Sequence, residues 1–161
     1  MIGIEARPPW REATNNADSV RQWLRTCPAL DESAWFGADF LKDEPELFAL
    51  YSTPSPVNAR ENILGDVEPL PIQRQDFVLA CRAPYGQAAQ QNMDNLRRFQ
   101  DIAAWIWAQN AAKRFPDWDG GRITSIAPTV TPEIVEPGSA TARYQIRIRV
   151  TYHIGDDGLQ E

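Results

Sequence analysis

The stretch TARYQIRIRVTY, residues 141–152, alternates between apolar and polar side chains over twelve positions. One face carries six apolar or aromatic residues, namely Ala142, Tyr144, Ile146, Ile148, Val150 and Tyr152. A period of two, in a segment rich in β-branched and aromatic residues, predicts a half-buried strand. The opposite face carries Arg143, Arg147 and Arg149. One side of this strand must therefore pack against a core. The three arginines on the other side must be solvated, paired with another group or used in binding.

The bulk composition is that of one folded domain. The chain has 161 residues, 43% hydrophobic and 24% charged, and a domain of this size buries roughly two thirds of its unfolded surface. The formal net charge is −6, and residues 67–161, which hold the arginine row, have 10 basic and 11 acidic side chains. A chain with this balance is a poor candidate for binding a polyanion through counterion release.

Cysteine usage and hydropathy point to neither a disulfide framework nor a membrane span. Cys27 and Cys81 form no paired motif and fall at apolar-periodic positions, which predicts two small core residues. No run approaches the ~20 apolar residues of a membrane span, and the first ten residues contain an early acid and no secretory core. The expected location of the folded chain is the cytoplasm.

The order of the predicted elements indicates an α+β fold. In chain order they are an irregular N-terminal arm over residues 1–16 that contains Trp10, a helix from about Ala17 to Cys27, strands near 35–40 and 47–52, a long polar segment over 53–73, a strand over 73–83, a helix over about 88–113, a strand near 122–130 and the closing strand. We predict a mostly antiparallel sheet of four to five strands with two helices packed on one face. The domain spans residues 17–154, and residues 155–161 form a C-terminal tail.

The segment TPSPVNARENILGDVEPLPIQ, residues 53–73, is too polar for the core and too long for an ordinary turn. Connections above ~12–15 residues without regular structure are uncommon and tend to be functional or disordered. Because strands flank this segment on both sides, we predict a hairpin with an extended arm. The candidate contact residues on this arm are Arg60, Glu61, Asn62, Ile63, Leu64 and Asp66.

The predicted long helix places one tryptophan apart from its apolar arc. That arc holds Met93, Leu96, Phe99, Ile102, Ala103, Ile106 and Trp107. Trp105 falls outside it, beside Arg98 and Asp101. Two interpretations stay open: Trp105 is a platform for the stem of Arg98 with a cation–π contribution, or it anchors a neighbouring subunit, as aromatic residues often do.

Residues that could carry catalysis are few. The sequence has no P-loop, dinucleotide fingerprint or nucleophile elbow. His153 is the single histidine, and the acid-rich segment with Asp39, Asp43, Glu44 and Glu46 lacks the ligand spacing of a calcium loop. We expect no catalytic residue, no metal site and no cofactor. A small hydrolase that depends on His153 is the enzymatic alternative.

The arginine row allows three interpretations. An RNA-binding sheet would place aromatic residues beside the basic ones, whereas Tyr144 and Tyr152 lie on the opposite face. Pairing with carboxylates, within the sheet or on a second copy, suits the planar guanidinium. In the third interpretation the face is solvated, and the arginines cover the sheet with their aliphatic stems while their charged groups stay in water. A nucleic-acid-binding module that uses Arg143, Arg147 and Arg149 is kept as the alternative from another functional class.

Several segments in order resemble the tail terminator proteins of long-tailed bacteriophages and prophages. These segments are WLRTCPAL, ALYSTPSP, ILGD, DFVLACRAPYGQ, NMDNLRRFQDIAAWIWAQN and TARYQIRIRVTYH. The resemblance extends from about Val20 to His153. It is carried mainly by the aromatic-Gly break before a helix with Trp and Gln-Asn near its end, and by the closing ARYQI strand. The Trp10-bearing arm and the proline density of residues 53–73 depart from the family pattern.

The resemblance implies an α+β subunit that forms a homo-hexameric ring on the head-proximal end of the tail tube. Such a ring stops tube polymerisation and offers a surface to neck or connector proteins. It has no catalytic activity and no cofactor, DNA passes through it only as cargo, and it is located in the virion tail. On this reading the subunit-interface candidates are Trp10, Trp105, Arg143, Arg147 and Arg149, and the arm contacts the tube or the neck. A neck or head-completion protein is the alternative within the same class.

Overall fold

The computed structural model describes residues 9–30, 36–38, 47–84, 89–135 and 141–154. Its elements, in chain order, are α1 (Pro9–Leu24), β1 (Phe36–Ala38), β2 (Leu47–Thr53), β3 (Ala59–Glu61), β4 (Val67–Pro69), β5 (Ile72–Pro84), α2 (Ala89–Ala112), β6 (Arg122–Pro128), β7 (Glu133–Val135) and β8 (Thr141–His153). The acid-rich segment 39–46 and the C-terminal tail 155–161 lie outside the described residues.

The main sheet has the strand order β1-β2-β5-β8-β6, with β7 also paired to β8. The β1–β2 pair is parallel, and the other described pairs are antiparallel. At its centre β5 and β8 pair along their whole length, from Ile72 opposite His153 to Pro84 opposite Thr141. The prediction of an α+β fold with a mostly antiparallel sheet and two helices is confirmed.

The core lies between one face of the sheet and the two helices. The apolar face predicted for the closing strand is buried in β8 from Ala142 to Val150, and Tyr152 at its end is partly buried. Phe77, Leu79 and Cys81 of β5 stand opposite this face. The helices close the core with Val20 and Leu24 from α1 and with Phe99, Ile102 and Ile106 from α2. The period-two pattern therefore identified the buried face correctly.

Helix α1 begins at Pro9, so the prediction of an irregular arm is wrong for residues 9–16. Proline is tolerated in the first turn of a helix because the N–H that it lacks would have no intrahelical acceptor there. Asn16, whose polarity suggested a loop, is 5% exposed, donates to the Asp119 carbonyl at 3.0 Å and accepts the Asp119 N–H at 2.7 Å. The buried side chain of Asn16 is therefore accommodated in the helix because the backbone of a distant loop satisfies its hydrogen bonds. Trp10 lies in the first turn of α1.

The two neighbouring tryptophans of α2 exchange the roles that the helical wheel predicted. Trp107, predicted for the apolar arc, is 53% exposed, whereas Trp105 packs against the core. The ring of Trp105 meets that of Trp23 with centroids 4.8 Å apart. The wheel missed this contact because the position of α1 beside α2 is a tertiary property.

Residues 54–71 form the predicted arm between the antiparallel strands β2 and β5. Within it β3 and β4 make a separate two-stranded antiparallel sheet, with Glu61 opposite Val67 nearest the tip. The prediction of a hairpin with an extended arm is confirmed.

Candidate interaction surfaces

The tip of the arm exposes large apolar side chains. Ile63 is 99% exposed and Leu64 is 82% exposed, and Val67 beside the tip and Val57 near the root are also largely exposed. Single exposed apolar residues are common on protein surfaces, but a group of them on a projecting element is typical of an interaction site. The arm is therefore the first candidate for contact with another molecule.

Backbone and side-chain hydrogen bonds hold the tip in one shape. The Asn62 side-chain oxygen accepts the N–H groups of Leu64 at 2.9 Å and Asp66 at 3.0 Å, and its Nδ2 donates to Glu68 at 2.8 Å. Gly65 has a φ of +88°, a conformation that favours glycine. Because the turn is fixed by its own bonds, the apolar pair at the tip is presented ready-formed, which lowers the entropy cost of binding.

The six arm candidates divide into two groups in the structure. Ile63 and Leu64 point away from the chain, whereas Asn62 builds the turn and the Asp66 N–H is bonded to it. Arg60 lies across the hairpin from Glu68, 3.7 Å from its carboxylate. An exposed ion pair of this kind contributes about 0–1 kcal/mol. Of the six candidates, Ile63 and Leu64 are therefore the apolar side chains that the arm presents outward.

A buried glutamine fixes the root of the arm. Gln73 is 6% exposed, and its Nε2 donates to the carbonyls of Asn58 at 2.7 Å and Leu70 at 2.8 Å. Its side-chain oxygen accepts the Asn58 N–H at 3.1 Å, and the Asn58 side chain donates to the Ile72 carbonyl at 2.8 Å. These bonds join the two sides of the arm where it leaves the main sheet, and so they set its direction.

Replacing Gln73 with alanine should loosen the arm without unfolding the domain. The change removes three hydrogen bonds and leaves their backbone partners to water, so we expect the free energy of local opening to fall by about 1–3 kcal/mol. Hydrogen exchange at the amides of Asn58 and Leu70 measures the effect, and it should speed up by about tenfold or more. The exposed neighbour Arg74, changed to alanine, is the control. Equal exchange rates in both variants would contradict the conclusion that the Gln73 hydrogen bonds hold the root of the arm.

The arginine row has partners within the sheet. Arg149 makes a two-pronged contact with Asp76 of β5, from Nε at 2.9 Å and from its terminal nitrogen at 3.2 Å. Arg147 lies 3.4 Å from Glu133 of β7. The Arg143 guanidinium stands 4.7 Å from the centroid of the Tyr51 ring, a cation–π distance. The hydrogen bond that Arg149 donates to the Asp76 carboxylate is the main reason why the pKa of Arg149 is raised.

This arrangement shows which carboxylates two arginines of the row pair with. Of the two carboxylate pairings that the sequence left open, the structure shows the one within the sheet for Arg147 and Arg149. A nucleic-acid phosphate on this face would compete with Asp76 and Glu133, which disfavours the nucleic-acid-binding alternative. A role for the row at a subunit interface stays a prediction, since Arg147 remains about half exposed.

Replacing Trp105 with alanine should destabilise the monomer. Trp105 contacts Trp23 and the core, and large-to-small changes at buried aromatic positions cost about 3–5 kcal/mol when burial is complete, so we expect about 2–3 kcal/mol for this half-buried side chain. The matched change is Trp107→Ala, whose side chain is exposed and should alter the free energy of unfolding by less than about 0.5 kcal/mol. Chemical denaturation of both variants measures the difference. A larger loss for Trp107 than for Trp105 would contradict this assignment.

The groups nominated for chemistry do not converge. His153 ends β8 opposite Ile72 and Arg122. Cys27 is buried, and burial raises the pKa of its thiol, which disfavours the reactive thiolate. Across the described ranges no group of three or more His, Cys, Asp or Glu side chains is placed to hold a metal ion.

A cleft of about 420 Å³ lies on the arginine face of the sheet and is lined by Thr53, Pro54, Asp76, Phe77, Val78, Thr129 and Arg147. Its two charged groups are already engaged, Asp76 by Arg149 and Arg147 by Glu133. Neither forms the nucleophile-and-base pair that covalent catalysis uses. Among the described residues, no helix is both long and apolar enough to cross a membrane.

Sequence reasoning missed Gln73, Asn16 and the exposure of Trp107. Gln73 and Asn16 are polar residues, for which an exposed position is the usual expectation. The sequence did carry a usable signal for the turn at the arm tip, the Asn-Ile-Leu-Gly-Asp string. Asparagine three residues before glycine is typical of a turn capped by the asparagine side chain.

No protein-family model matches the chain, and no curated protein matches its sequence. Among solved structures the fold is similar to that of a protein whose name describes no function. The two are 14% identical, the match covers 91% of this chain and 98% of the other, and the TM-score is 0.50. At this sequence identity the similarity shows the fold alone. It also shows that nearly the whole length of another chain adopts this fold.

Proposed function

We propose that this protein is a structural assembly protein, the tail terminator of a long-tailed phage or prophage. It forms a ring that caps the tail tube, stops its polymerisation and provides the surface for joining the head. The observation that carries the proposal is the arm, a pre-shaped element whose tip exposes Ile63 and Leu64 while its root is locked by Gln73. An apolar tip on a rigid arm has a clear use in binding another protein.

The resemblance in segment order supports the same function. It spans both central strands and α2, which the structure brings together around one core. A ring built from identical subunits needs two different matching patches, since its contacts are heterologous. The chain offers unlike surfaces for this purpose: the projecting arm, the charged arginine face and the exposed side of α2.

The proposed partners are further copies of the chain in a homo-hexamer, the tail tube protein and the neck or connector proteins. Packaged DNA passes through the ring as cargo, and the protein is located in the virion tail. A formal net charge of −6 suits a channel wall that DNA must not bind. Tube or neck contact by the arm is part of this proposal.

Tube polymerisation tests the function directly. Purified chain added to polymerising tube protein from the same phage or prophage should yield short tubes of fixed maximum length, each with a ring at one end in negative-stain images. Light scattering at high protein concentration should detect a particle near six times 18.2 kDa. Tubes that elongate equally with and without the chain would overturn the proposal. Rings that bind neck proteins but leave tube growth unchanged would instead support the neck or head-completion alternative.

A further inference from the structure

The described residues of the monomer expose apolar side chains at two separate surfaces. The first is the arm tip with Ile63 and Leu64. The second is the outer side of α2, where Trp107 is 53% exposed and the neighbouring Ala104 and Ala108 are also exposed. An exposed tryptophan beside small side chains leaves a flat apolar area with room for an incoming aliphatic group.

The tip of a protomer does not cover its own α2. Ile63 is 99% exposed, so no described segment of its own chain packs against it. Four residues separate Asn58 at the root from Ile63, and three of them form β3 (Ala59–Glu61). At about 3.3 Å per residue this strand carries the tip roughly 10 Å or more beyond the root. Such a reach suits contact with a neighbouring molecule.

The charges around the two surfaces are of opposite sign. The arm, residues 54–71, contains one basic and three acidic side chains, a formal charge of −2. The last half of α2 and the residues after it, 102–114, contain Lys113 and Arg114 and no acidic residue. Both basic side chains are exposed. Contact of tip with tip, or of helix with helix, would bring like charges together, whereas contact of tip with helix pairs unlike charges.

We propose that the arm tip of one protomer docks on the outer side of α2 of a second copy, with Ile63 and Leu64 against Trp107 and Ala108. The contact joins two different patches, so it is head-to-tail and can close into a ring. It rests on the self-association in the proposed function and names the surfaces that carry it. In this docking mode the tip pair contacts a neighbouring subunit, and contact with the tube or neck is left to the other exposed residues of the arm.

Disulfide trapping tests the contact in the full chain. Leu64→Cys in one preparation and Ala108→Cys in another, carrying tags of different size, are mixed under mild oxidation. The native Cys27 and Cys81 are each 1% exposed and should not compete. Docking raises the local concentration of the two new thiols, so the 64–108 product should exceed the product of Leu64→Cys with Thr131→Cys by about tenfold. Equal yields, or a 64–64 product in excess, would overturn the proposal.

Charge reversal separates docking from random collision. Lys113→Glu with Arg114→Glu, placed in the Ala108→Cys chain, should lower the trapped yield severalfold. Glu61→Lys with Asp66→Lys in the Leu64→Cys chain should restore it. A yield indifferent to both changes would count against the docking mode.

The tube-capping assay run on the same samples distinguishes the two proposals. Trapped 64–108 pairs from a chain that fails to cap tubes would leave the docking intact and overturn the proposed function. Capped tubes in which the cysteine at 64 reacts only with the tube protein would support the function and overturn the docking on α2.

Discussion

Replacing Phe99 with alanine should lower the free energy of unfolding by about 3–5 kcal/mol. Phe99 is 1% exposed and sits between two aromatic rings, with centroid distances of 6.1 Å to Phe48 and 6.3 Å to Tyr144. It therefore links α2 to β2 and β8 at once. Truncation removes the transfer free energy of the ring and leaves a cavity that three elements would have to move to fill.

Urea denaturation followed by circular dichroism measures the effect, at a protein concentration where the chain is monomeric. Met93→Ala is the matched control, since Met93 lies on the same helix but is 58% exposed, and it should change stability by less than about 0.5 kcal/mol. A loss below about 1 kcal/mol for Phe99→Ala would mean that α2 does not pack on the sheet as described.

Replacing Ile63 and Leu64 together with aspartate should abolish tube capping while leaving the monomer as stable as before. Both side chains are almost fully exposed, so they contribute little to folding, within about 0.5 kcal/mol. If the tip is a binding anchor, burying two carboxylates at an apolar contact opposes association strongly, and activity should fall by about a hundredfold or more.

The control for this double variant adds the same charge elsewhere. Val130→Asp with Thr131→Asp places two carboxylates at exposed positions between β6 and β7, and it should leave capping unchanged. Tube length distributions by electron microscopy report activity, and thermal melting reports stability. Full capping by the tip variant would show that Ile63 and Leu64 are not needed for the function.

These two predictions rest on different kinds of information. The burial of Phe99 followed from helical periodicity, because an amphipathic pattern is a local property of consecutive residues. The exposure of Ile63 and Leu64 was not a local property, since an Ile-Leu pair is more often buried than exposed. What could be anticipated was the arm itself, from a long, proline-rich polar segment between two strands.

The wrong and missing assignments share a physical origin. Asn16 is helical because the backbone of Asp119, 103 positions away, satisfies its side chain. Trp105 is half-buried because Trp23 of α1 covers it. No window of neighbouring residues contains these partners, so their energies cannot enter a reading based on local pattern.

The sequence by itself determined the long closing strand, the face that it buries, the α+β class and the hairpin arm. Periodicity, strand length and proline placement are properties of the chain before it folds. Only the tertiary structure decided which partners the arginines take, which tryptophan of α2 faces outward and how Gln73 locks the arm. Each of those outcomes depends on which other segment of the chain lies opposite a given side chain. Strand pairing and helix docking determine which segment that is.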